Sequence, residues 1–376
     1  MLDEARLTGN MAPTIGSSTQ PYRRHIVGLP LQRSIFSLAS QAATTIGLPG
    51  LTSERDFPAS LNENGDLFLD RSKVASLTNA LRAWFTPENL NLMQAGHSAA
   101  CDALLNTNGS LDPQIGSGQC SIKKKFERLA NRMALILAYG ILSKFVPDVL
   151  LRSLEEAGDT EPPPFPERSA GAELMEETFA LHQACSVLGY TPQTLRQKWP
   201  HVPSEVFELV MTFCRRHTGF GRLAWDSPGY EDPDYVIRVL HSACDEIDAE
   251  QLRRRLSFAK APVLARPTSQ GASRIAALRC VLGFWLDFLE RETWYVRRGF
   301  YLCMIPLLRQ YAAGICEKIP GFQTADLLFL EVKELTTGTL DPAVIRTRRL
   351  GYMRNNDYLS SHGVDPNRLA TIMASS

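Results

Sequence analysis

Residues 273–316 read SRIAALRCVLGFWLDFLERETWYVRRGFYLCMIPLLRQYAAGIC. Apolar side chains recur through the stretch at Ile275, Leu278, Val281, Leu282, Trp285, Phe288, Leu289, Val296, Phe300, Leu307, Leu308, Tyr311 and Ile315. Steps of three and four residues return to one face of a 3.6-residue turn, so the stretch predicts a long amphipathic helix. Pro306 has no amide hydrogen and its ring crowds the turn before it, which predicts a kink. The same period runs through most of the chain, at 31–46, 72–84, 122–154, 173–188, 203–214, 235–247, 249–260 and 342–354. Alternation is confined to Leu67 and Leu69 around Phe68, and Asp326 to Glu331 reads as a brief extended or turn element. These patterns predict an all-α chain, an irregular multi-helix domain with one or two short extended elements.

Local composition divides that chain. Residues 1–30 are rich in Ser, Thr, Pro and Gly without a period and read as poorly ordered. A first helical subdomain is expected over 31–156. Residues 157–171 carry Pro162, Pro163, Pro164 and Pro166 beside acidic residues and read as an exposed linker. A second helical subdomain with the long kinked helix is expected over 172–360, and a tail over 361–376.

Across 376 residues, 40 Lys and Arg balance 40 Asp and Glu, so no global field draws the chain to nucleic acid or to an anionic membrane. Residues 133–146 are apolar but short for a bilayer and contain Lys144, which predicts a buried helix. Cys101, Cys120, Cys185, Cys214, Cys244, Cys280, Cys303 and Cys316 are scattered, with no CxxC pair or metal-ligand spacing. Reduced thiols are the expectation. The opening MLDEARLTGN lacks the basic-then-apolar order of a secretory leader, and a cytoplasmic protein is expected.

Chemistry concentrates in 215–235, RRHTGFGRLAWDSPGYEDPDY. Gly219 and Gly221 admit unusual backbone angles, Pro228 and Pro233 fix turns, and His217, Arg222, Trp225, Asp226 and Tyr230 bring rings, charge and hydrogen bonds. His217 is a candidate acid or base, set against a structural imidazole bonded to a backbone carbonyl. Arg222 and Asp226 either bind a ligand or brace the loop as an ion pair. On the long helix, Trp294, Tyr295, Phe300 and Tyr301 line a pocket or fill the core. Arg298 is a candidate ligand contact, although Arg297 and Arg298 also suit a solvated face or pairing with Glu290 and Glu292. The acidic groups Asp245, Glu246, Asp248 and Glu231, Asp232, Asp234 lack the second metal motif of an isoprenoid cyclase. No Gly-x-Ser-x-Gly elbow supports a hydrolase.

Four pieces in order carry a resemblance: Asn64-Gly65 through Asp70 before a helix; His217-Thr218-Gly219-Phe220-Gly221 with Ser227-Pro228 and Glu231-Asp232-Pro233; Glu290 through Gly299; and Asp326 through Leu330 before Glu334-Leu335. Together, over roughly residues 30 to 360, they resemble the helical middle region of the phosphoenolpyruvate synthase and pyruvate phosphate dikinase-like family, most closely that of rifampin phosphotransferases. The resemblance implies a region that holds the substrate, between an ATP-grasp domain and a phosphohistidine domain. No Gly-rich phosphate loop and no Gly-Gly-x-x-Ser-His-Ala run occurs here, and Ser360-Ser361-His362 lacks the flanking glycines. Where the family commonly reads His-Arg-Gly-Pro-Gly-Glu, Arg222 replaces the final Glu, which reverses the charge and points to an anionic ligand group. The resemblance therefore implies an acceptor subunit for a small, largely apolar metabolite in an ATP-dependent phosphotransfer or condensation system, within specialised metabolism and biosynthesis. It implies no cofactor in this chain, with ATP and Mg on separately encoded ATP-grasp and phosphohistidine partners. A non-catalytic scaffold or regulatory subunit, or an independent enzyme using His217, is the alternative.

Overall fold

The structure is a computed structural model that describes residues 23–25, 29–61, 66–84, scattered positions between 88 and 99, 122–159, 170–220, 225, 227–244, 270–316, 319, 321–355, 365 and 367–374. The expected all-α, irregular multi-helix architecture is what it shows. Strand β1 (Arg23–His25) precedes helix α1 (Pro30–Thr44); then follow β2 (Ala59–Leu61), β3 (Asp66–Leu69) and α2 (Arg71–Trp84). Next come α3 (Ile122–Leu142), α4 (Val146–Glu156), α5 (Ala170–Val187), α6 (Pro192–Lys198), α7 (Ser204–His217) and α8 (Pro233–Cys244). The long helix α9 (Gln270–Gly299) passes through a π-helical segment, Phe300–Met304, into α10 (Ile305–Cys316). A 3₁₀ turn (Thr324–Phe329), α11 (Val332–Thr337), α12 (Pro342–Arg354) and α13 (Arg368–Ala374) complete the order.

Local chemistry explains several boundaries. Pro30, Pro192 and Pro342 stand in first helical turns, where a missing amide costs nothing. The Thr191 hydroxyl accepts from the Thr194 amide, and the Asp341 carboxylate accepts from Ala343 and Val344. Glu331 and Glu334 close a reciprocal capping box on α11. The periodic stretch 122–154 is two helices: the apolar run continues through buried Phe145, but the backbone leaves helical geometry there, at φ −140°, and Pro147 stands in the first turn of the second. Pro306 cannot donate to the Leu302 carbonyl, and the helix widens to π geometry over Phe300–Met304, just ahead of it.

Within the first thirty residues, the described Arg23–His25 pairs antiparallel with β3, which also pairs with β2. Three residues of strand leave no periodic signal; the partner edge supplies the order. Of the two alternatives at Asp326, the segment takes the turn: it is a buried 3₁₀ turn, with Leu327 and Leu328 inside and Asp326 accepting from the Gln323 amide.

The large core joins the two ends of the chain. Leu31, Ile35 and Ala39 of α1 belong to one core with α3, whose Tyr139 meets Trp285 and Phe288 of α9 at 5.8 and 6.4 Å. It runs from Leu29 through Leu154, takes in Trp225, and resumes from Leu278 to Met373. A smaller cluster of Leu181, Cys185, Leu195, Val206, Val210, Phe213, Val236 and Leu240 gathers α5 to α8. Most of the proline-rich stretch 157–171 lies outside the described residues. Each fully buried Leu or Phe contributes about 1.5–3 kcal/mol, so Leu31, Leu282 and Phe288 hold these elements far more firmly than surface pairing does. Among the described residues no single helix is long and apolar enough to cross a membrane; α3 with α4, bent by 45°, passes by length and composition as a pair, and both are largely buried in this core.

Two ion pairs fasten α9 to the preceding half. Arg279 donates to both carboxylate oxygens of Asp159, at 2.5 and 2.9 Å. Lys144 donates to Glu292 at 2.8 Å, and Glu292 reaches it by crossing Gly140 of α3. A Cβ at Gly140 would stand 2.1 Å from a Glu292 carboxylate oxygen and 2.6 Å from its Cγ, so the whole carboxylate arm would have to leave. Gly140→Ala is therefore expected to destabilise the fold by about 1–3 kcal/mol, against the usual helical gain of alanine over glycine. In urea denaturation, Gly140→Ala on a Glu292→Ala background should lose much less; equal losses in both backgrounds would contradict the contact.

Candidate functional site

The loop after α7 folds onto α9 because Gly219 lets it. Gly219 has φ +112°, and a Cβ there would meet the Trp294 carbonyl oxygen at 2.7 Å and Arg298 Cβ at 2.9 Å. Close approach brings the Arg298 guanidinium to the carbonyls of Arg216 (3.4 Å) and Thr218 (3.3 Å), over the Trp294 ring at 5.1 Å. Phe220 packs on Trp294 at 6.0 Å and Tyr295 on Phe288 at 6.0 Å, so both candidate aromatics are half-buried packing groups.

Further along, the loop is fixed by a charge cluster. Arg297 is fully buried and grips Glu231 with two nitrogens, Nη2 at 2.5 Å and Nε at 3.1 Å, while also donating to the Ser227 carbonyl. Arg368 of α13 joins the same carboxylate at 2.7 Å, Asp232 at 3.3 Å, the Ser227 carbonyl at 2.7 Å and the Tyr301 hydroxyl at 3.0 Å. Tyr301 donates to the Trp225 carbonyl at 2.9 Å, and the Trp225 ring stacks on Phe300 at 3.9 Å. Burial by itself would raise the Glu231 carboxyl, but Arg297 and Arg368 outweigh it and hold the group below the ordinary range. Burial also pushes the Tyr301 phenol up to about 12, so it stays a neutral donor.

These contacts sort the expected site residues. Trp225 is wholly buried and is core. Tyr230 is half-buried against Phe220 and Tyr235. Arg297 is not on a solvated face, and neither it nor Glu292 follows the expected pairing along α9: Glu231 neutralises the first and Lys144 the second. Arg222, Gly221, Asp226 and His362 lie outside the described residues. Sequence reading missed Arg368 and the role of Glu231 because their partners are 137 positions apart. The one available signal was Glu231-Asp232 directly ahead of Pro233, which reads equally well as a helix cap.

His217 closes α7 in a different setting. Its Nε2 stands 2.7 Å from Glu177 of α5, and the ring lies between Phe213 (4.4 Å) and Phe220 (5.9 Å). Arg216 pairs with the other Glu177 oxygen at 2.8 Å. Burial depresses the imidazole pKa, and Glu177 restores only part of it. The neutral ring donates to a carboxylate, not to the backbone carbonyl anticipated. Cys214, one turn earlier, is buried and its thiol is pushed up to about 12, which makes it inert as a nucleophile.

Glu177 also borders an open groove of about 690 Å³ between α5 and α7. Ala180, Leu181, Ala184, Leu209 and Phe213 form its apolar floor, and Glu205, Glu208 and Arg216 its rim. No group of three or more His, Cys, Asp or Glu able to hold a metal occurs among the described residues. The chain matches no protein-family model, no curated protein and no solved structure.

Two outcomes test this geometry. Glu177→Gln removes the group that supports the His217 proton, so ring NMR should show a pKa lower still than the wild type's. Because the folded pKa lies below the unfolded value of about 6.5, stability is complete above that pH and falls as pH drops from it towards the folded value. Arg297→Ala leaves a void and an under-compensated Glu231 and should cost about 3–5 kcal/mol in urea denaturation, with Arg297→Lys recovering only part because one ammonium cannot span the carboxylate and the Ser227 carbonyl.

Proposed function

We propose that this chain is a non-catalytic binding subunit that works with separately encoded partners. The observation that carries it is a contrast: Trp225, His217 and Arg297 are tied inward by buried partners, whereas the groove between α5 and α7 presents an apolar floor to solvent. A buried imidazole bonded to a carboxylate suits a brace better than an acid or base that must meet substrate. The sequence landmarks shared with dikinase middle regions support an ATP-dependent phosphotransfer or condensation system, in which ATP-grasp and phosphohistidine proteins bring ATP, Mg²⁺ and the phosphoryl carrier. The unbridged thiols of Cys185, Cys214 and Cys280 support a reducing, cytoplasmic setting.

A second reading keeps the acceptor role. The apolar Ala180, Ala184 and Leu209 along the groove support a small apolar metabolite at the same place. Both readings exclude ATP turnover by this chain alone. With Mg·ATP, the purified protein is expected to release no phosphate above the blank; release abolished by a substitution in this chain would overturn both. Loss of partner assembly in Ala184→Arg, with ATP chemistry of the partners intact, is the result expected of the binding subunit.

A further inference from the structure

We infer that the groove between α5 and α7 receives an amphipathic helix of a partner protein, with Lys or Arg flanking its apolar stripe. This rests on the binding-subunit reading and names the partner's chemistry. The floor is a row, not a closed pocket: Ala180, Leu181 and Ala184 recur at helical spacing on α5, and Leu209 and Phe213 recur on α7. Beyond Ala184 the row runs into Val187, 86% exposed, and Leu188, 38% exposed. From Glu177 to Leu188 this face spans about 16 Å, or three helical turns, at the usual rise. Small alanines on one wall and large side chains on the other leave a trough into which Leu-sized knobs fit.

Charge then selects the occupant. The groove is bordered by Glu177, Glu205 and Glu208 against Arg216 alone. Arg216 is committed to Glu177, and the Glu208 partner Arg215 is an exposed pair at 2.9 Å, 64% and 63% accessible, which a docking cation can replace cheaply. Glu205 has no ion-pair partner among the described residues. The exposed rim therefore carries two carboxylates that a cationic flank neutralises and an acidic flank would meet unpaired. An anionic metabolite fits this border poorly.

The test uses the full chain and two labelled helical peptides of about 14 residues, one Leu/Lys and one Leu/Glu with the same Leu stripe, read by fluorescence anisotropy. The Leu/Lys peptide is expected to bind. Ala184→Arg, which blocks the floor, and the Glu205→Lys, Glu208→Lys double variant should each weaken it by about tenfold, while the double variant gains affinity for the Leu/Glu peptide. Circular dichroism on each variant confirms that the helices are kept. Equal binding of both peptides, or affinity indifferent to both variants, overturns the inference. Sedimentation showing a wild-type dimer that Ala184→Arg dissociates overturns it in favour of a second copy of this chain. A neutral apolar dye displaced by Ala184→Arg when neither peptide binds removes the basic helix but keeps a binding site. Indifference of dye and peptides alike to Ala184→Arg removes the binding-subunit reading as well.

Discussion

Two guanidiniums on one buried carboxylate set the arrangement of this protein's loop, its longest helix and its C-terminal helix. Arg297 is fully buried, and a lone buried cation would cost several kcal/mol. Glu231 answers it with both oxygens, and the Ser227 carbonyl and Tyr301 hydroxyl take up further donors. Adding Arg368 puts a second positive charge on the same carboxylate, which is tolerable because Asp232 adds a second negative one at 3.3 Å. Two cations and two anions close the account locally, so the network can be buried without leaving net charge inside. Its geometry then dictates the rest: α13 is held against the loop, and Trp225 is pressed flat on Phe300.

The π-helical segment fits the same constraint. Phe300 and Tyr301 sit at its start, one stacked on Trp225 and the other bonded to its carbonyl. A regular α-helix advances about 100° per residue, so the wide turn alters where residues after Arg297 point relative to it. Pro306 makes the widening cheap, since the amide that would tighten the turn is missing. Arg297 and Tyr301, four residues apart, share one helix face, and the widening that precedes Pro306 falls in the turn that carries Phe300 and Tyr301.

What the sequence disclosed follows from the range of the interactions involved. The all-α class was legible because helical period repeats within a few residues, and caps such as Thr191 and Asp341 sit next to what they cap. Strand β1 was not, because three residues take their order from β3 some forty positions away. At the site, the loop stands out in the sequence as dense in special residues, but the surroundings of the described ones depend on α9 and α13. Arg297 and Arg298 are neighbours with identical side chains; one is fully buried on Glu231, and the other is part-exposed on backbone carbonyls. No local pattern separates them, because the difference lies in what the fold brings opposite each.

The same reasoning makes the described residues of the loop braces. Groups that do chemistry need a substrate within reach and protonation states that can change. Tyr301 and Cys214 are held neutral by burial, Glu231 is held ionised by its guanidiniums, and His217 is turned onto Glu177. Glu177 is the link between the two regions: one oxygen holds the end of α7 through His217, the other holds Arg216, and its side chain forms the border of the groove. Glu177, held by His217 and Arg216, therefore fixes one border of anything seated between α5 and α7. A recognition surface gains from such pre-organisation, since less ordering remains to be done when the partner arrives.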